Sequence, residues 1–178
     1  MVKFNQVLDR ALSSITAVVI VLMMLHVVAH ALLRFFFNAP IYGTNEIVAY
    51  WYLPAIALLG IPAAQLQREH ITVTIAVERM SSLGRTVFTV FGCALGFLVS
   101  IGFAWFGFHE ALENMHMGST AGVTDIITWP IYFLVPVVFV LLAVLYVVDA
   151  LVALRTGDPD IDPLTGEERE EALEDALV

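Results

Sequence analysis

The sequence predicts an all-α integral membrane protein: a four-helix bundle with both termini cytoplasmic. Three observations carry this. The 178-residue chain is 60% hydrophobic and only 14% charged, with a mean hydropathy of +0.86. A soluble domain is about 45–50% apolar and about 25% charged, and a globule of this size could not hide so much apolar surface. Four long stretches contain no Asp, Glu, Lys or Arg, and the few basic residues outside them fall mostly on one side.

The first uncharged stretch, 11–33, lies between Arg10 and Arg34. Ala29-His30-Ala31 has the small-x-small look of a signal cleavage site. The apolar run is longer than the 7–15 residues of a signal core, so it is read as a retained span. The second stretch, 47–67, lies between Glu46 and Arg68, and contains Pro54 and Pro62. The third, 86–109, lies between Arg85 and Glu110 and is glycine-rich, with Gly92, Gly96, Gly102 and Gly107. The fourth, 126–148, lies between Asp125 and Asp149 and contains Pro130 and Pro136. At about 1.5 Å per residue these stretches cover roughly 31–36 Å, enough for a hydrocarbon core of about 30 Å. Backbone polar groups in lipid must be satisfied internally, so each is read as a helix. Transmembrane strands would be shorter and would alternate apolar with polar residues. Interior prolines bend such helices, and neighbouring helices absorb the freed carbonyls.

Orientation follows from Lys and Arg. Lys3, Arg10, Arg68, Arg79, Arg85, Arg155 and Arg169 fall on one side, and Arg34 alone on the other. Loops 34–46 and 110–125 therefore face outward. The net charge of −9 is unevenly placed. Residues 1–156, the membrane domain, hold seven basic and eight acidic residues; 157–178 hold one basic and nine acidic. The acidity belongs to a cytoplasmic tail. There Asp158-Pro159 and Asp162-Pro163 stop any helix continuing from span four, and Thr165 with Glu168 fits a capping box.

The chain shows no P-loop, nucleophile elbow or zinc spacing, so no catalytic or metal residues are assigned and an enzyme is not expected. The basic residues form no nucleic-acid stripe. No ionisable acid, Lys or Arg lies deep in a span, whereas ion pathways and proton relays usually leave such groups. His26 and His30 share a helix face at i,i+4 spacing. His30 and His109 both fall near the outer side, where imidazoles from two helices could ligate haem, as in a redox membrane anchor. Gly92-x-x-x-Gly96 permits close helix approach, inside this chain or in a self-assembling membrane protein. Met115-His116-Met117 is a loop triplet with soft-metal donors. Cys93 is the only cysteine, so no intramolecular disulfide forms.

One ordered set of residues is distinctive: Arg34-Phe-Phe-Phe-Asn38, Asn45-Glu46-Ile47, Gly60, then Arg68-Glu69-His70-Ile71. With Gly118-Ser119, Trp129 and Pro136, it resembles the small membrane subunit of tripartite ATP-independent periplasmic (TRAP) transporters, over roughly residues 5–155. The sequence departs from that pattern at Gly43, where the family often has Trp, and at Asn45 and Thr74, where it often has acids. The resemblance implies a small permease subunit in a prokaryotic cytoplasmic (inner) membrane. Its partners would be a large many-span permease and a periplasmic substrate-binding protein that captures an organic acid. The coupling ion, usually sodium, would bind the large subunit. The small subunit would enlarge that partner's fixed scaffold, and no cofactor is expected in this chain. Arg34, Asn38, Glu46, Gly60, Arg68, His70, Gly92, Gly96 and Trp129 are the candidate interface or structural residues. Arg34 and Glu46 fall at one outer interface, where they pair with each other or meet a partner. The resemblance also favours a short amphipathic helix in the inner loop.

Overall fold

The computed structural model describes residues 2–66, 82–122 and 124–156. The inner loop with Arg68, His70 and the expected amphipathic helix lies outside the described residues, as does the tail at 157–178. Helix α1 runs Val2–Phe37. Span two is composite: α2 (Thr44–Ile47), a π-helical turn (Val48–Tyr52) and α3 (Leu53–Leu66). Helix α4 runs Ser82–Met117. Span four is a short α5 (Trp129–Tyr132) followed by α6 (Leu134–Thr156). Among the described residues, four helices are long and apolar enough to cross a membrane. Among the described residues the fold is otherwise loop, apart from one antiparallel bridge between Thr120 and Ile127.

The helices outrun the uncharged stretches. Helices α1 and α4 have 36 residues each, about 54 Å at the usual rise. They carry Asp9, Arg10, Arg34, Arg85, Glu110 and Glu113 within them. Charge marks where hydrocarbon should end; it does not stop a helix. Span four starts late: it begins at Trp129, and residues 126–128 belong to the preceding loop, while its far end outruns the stretch to Thr156.

Local chemistry explains the real ends. Asn38 adopts the left-handed conformation (φ 51°), which Asn tolerates better than most residues. The Ala39 amide turns back to the Leu33 carbonyl at 3.2 Å, and Pro40 follows. Helix α4 stops at Gly118, φ 66°. The Gly118 amide bonds the Met115 carbonyl and the Ser119 amide the Asn114 carbonyl, at 3.2 and 3.0 Å. That pair of bonds is a Schellman closure. Pro54 has no amide for the Tyr50 carbonyl and its ring crowds that oxygen. The turn just before it widens, so that the Leu53 amide reaches back five residues to Val48. Pro136 acts likewise on Tyr132, and the helix breaks at Phe133 between α5 and α6.

The spans pack in the order one, two, four, three. Helix α6 lies mainly against α4, α3 fits between α1 and α6, and spans one and three share no substantial contact among the described residues. The arrangement is a row, more open than a closed bundle. Leu12, Leu66 and Leu145 form the buried cluster where spans one, two and four meet, flanked by Leu8, Leu59, Ala63 and Leu141. Both described chain ends lie at that end of the row; the 38–43 and 118–128 loops lie at the other.

Candidate functional site

Two sets of contacts fix the row, one at each end. At the loop end, the connection 38–43 folds back along span one. The His30 Nδ1–H donates to the Ile41 carbonyl at 3.2 Å, and the Thr44 hydroxyl donates to the same oxygen at 3.1 Å. With its proton so used, the Thr44 oxygen accepts from His26 Nε2–H at 3.3 Å. The bonding assigns the tautomers, His26 on Nε2 and His30 on Nδ1. The His26 ring also meets Tyr52 edge-on, with centroids 5.9 Å apart. Thr44 is 3% exposed, so this small polar set stays satisfied while mostly dehydrated.

The third loop closes over span two. Its backbone is tied by the Ala121 amide to the Ile126 carbonyl (2.8 Å) and the Thr128 amide to the Ser119 carbonyl (2.9 Å). The Ser119 hydroxyl donates to Asn114 Oδ1 at 2.8 Å, and Asn114 Nδ2 donates to the Glu110 carbonyl and Oε1, each at 2.9 Å. So anchored, the loop lays the Ile126 side chain against Gly43, where a Cβ would collide with it. Gly43 also has φ 70°. Both its conformation and its contact require glycine. The Trp51 indole, carried on the π-helical turn, donates to the Ile127 carbonyl at 2.9 Å. Loops one and three and span two therefore form one clasp.

At the opposite end, Gln65 Nε2 donates to Asp149 Oδ2 at 2.9 Å, joining spans two and four. Asp149 is 8% exposed. The sequence treats it as the charge that ends span four, yet α6 continues to Thr156 and buries it.

The family model described as "Tripartite ATP-independent periplasmic transporters, DctQ component" matches residues 23–156. The chain belongs to this family. It covers all four spans from the second half of α1 to the end of α6. No curated protein and no solved structure matches the chain. The DctQ component is a transporter component rather than an enzyme family, and its membership accords with the four membrane-spanning helices.

The structure gives several candidate residues of this family member a local place. Asn38 is the helix stop of span one. Trp129 opens α5, with its ring edge-on to Phe133 at 6.2 Å. Gly96 lies against span four of the same chain, where a Cβ would stand 2.6–2.8 Å from the Tyr146 ring atoms. Gly92 and Gly60 have nothing within 4 Å of an added Cβ. Arg34 is exposed and Glu46 half-buried at the loop end; among the described residues no ion pair joins them. His30 lies on span one and His109 on span three, the two flanks of the row. The His109 Nδ1–H donates to the Trp105 carbonyl at 2.9 Å. His116 and Met117 are exposed at the end of α4.

Sequence reasoning missed Gly43 as a packing site, Trp51, Gly107 and the Gln65–Asp149 pair. Gly107 touches Val135 and Pro136, with an added Cβ 2.7 Å from Val135 Cγ1. A glycine beside the start of a span was visible. What it would face, 83 residues later in the chain at Ile126, was not.

Proposed function

We propose that this chain is the small scaffold subunit of a TRAP transporter in a prokaryotic inner membrane. It binds a large permease and holds that partner's fixed part in place. The large subunit carries the coupling ion, sodium, and an organic acid that a periplasmic binding protein delivers. Both termini lie in the cytoplasm, as the distribution of Lys and Arg requires.

Family membership carries this reading, and the packing supports it. A row with span one on its flank leaves Val18, Val21, Leu25 and Val28 more than half exposed. Such a surface needs lipid or another protein against it. The contacts at both ends tie the row together, which suits a part that holds still. Co-expression with a large TRAP permease from the same genome tests the reading. Affinity capture of this chain should retain the permease at a fixed ratio through detergent exchange. A permease that purifies without it, and never with it, would reject the assignment.

A further inference from the structure

We propose that Gln65 and Asp149 form a polar latch that sets which helix span two pairs with, and at what depth. Span two sits between α1 and α6, and the surfaces it offers them are mostly Leu, Ala, Ile and Gly. Inside lipid no hydrophobic force favours one apolar pairing over another, so van der Waals fit and interhelical hydrogen bonds decide. The apolar cluster at this end, Leu66 with Leu12 and Leu145, contributes packing but no directional bond. The latch is directional. Its 2.9 Å bond needs Gln65 and Asp149 at matching depth, and a buried carboxylate that loses a hydrogen bond is left undersatisfied.

The amide's orientation supports this assignment. Gln65 is 9% exposed, and its Oε1 is buried with no partner among the described residues. The side chain gives up a bond to its own carbonyl oxygen while its NH₂ faces Asp149. Asp149 is the acceptor that orients it. Asp149 also makes a further interaction. It is thus a positioning residue, acting through Gln65 on span two. Buried polar pairs are known to fix register at some cost in stability.

The test uses the full chain in native membranes with Cys93 replaced by Ala. Ala63→Cys and Leu141→Cys, both beside the buried cluster, report the span-two to span-four pairing through a short bifunctional thiol reagent. Gln65→Met keeps length and removes the donor. Asp149→Leu removes the acceptor. Asp149→Asn keeps an acceptor oxygen of the same reach. The proposal expects the first two to weaken the pairing roughly three- to twentyfold, the range for an interhelical hydrogen bond in a membrane protein. Asp149→Asn should restore the parent yield. If Asp149→Leu does not accumulate, Gln65→Met gives the same reading, with Asp149 keeping its other interaction. Parent-level cross-linking in Gln65→Met, or an Asp149→Asn variant as weak as Asp149→Leu, would overturn the latch.

Discussion

Gly43 and Gly96 show how much a single missing Cβ decides in this chain. Gly43 needs both a left-handed backbone and an open face for Ile126. Gly43→Ala should cost about 1–2 kcal/mol for the backbone alone, plus the displacement of Ile126. Gly96→Ala should also destabilise, because the Tyr146 ring is a broad obstacle. Gly92→Ala meets nothing within the chain and should hold or gain up to about 1 kcal/mol, the usual helix preference for Ala over Gly. Thermal midpoints of the detergent-solubilised variants check all three. The sequence motif treats Gly92 and Gly96 as equals; only the helix opposite them separates the two. Arg34 and Glu46 are a second residue-scale case. With no ion pair between them in this chain, Arg34→Gln and Glu46→Gln should have additive effects on assembly with the large permease. A double-mutant cycle on complex yield measures this. A coupling well above about 0.5 kcal/mol would show that the two act as one unit.

At the scale of elements, the four spans were legible because lipid forbids charge over about 30 Å. Their ends were not, because an α-helix continues past the membrane wherever no residue stops it. Where a stop has its own chemistry, as at Asn38-Ala-Pro40 or Gly118, the signal was present in the residues. The π-helical turn was only half legible. Pro54 announces a disturbance, but which carbonyls it frees and how Trp51 then aims depends on the third loop. Pro54→Ala should supply the amide that Tyr50 lacks and draw residues 48–52 back toward α-helical bonding. Trp51 would then lose its aim at the Ile127 carbonyl. Hydrogen exchange should show slower exchange at residue 54's new amide relative to its neighbours, and faster exchange across the 118–128 loop. An unchanged loop would mean that the clasp does not depend on the widened turn.

At the scale of the whole molecule, the sequence carried the family, the span count and the absence of a catalytic motif. It carried little of the row. The order one, two, four, three places span two against span four, and the ties that join them link residues 65 and 149, 43 and 126, and 51 and 127, all far apart in the chain. Asp149 is the clearest instance. Read alone, it looks like the charge that ends a span; beside Gln65 it becomes a tie between spans. Under the proposed function, this row is a fixed support for the large permease. Uptake of the cognate organic acid should be measured in liposomes holding the large permease and its binding protein, with and without this chain. Uptake should require the chain and return when it is co-reconstituted. Undiminished uptake in its absence, with the large permease stably folded, would contradict the account.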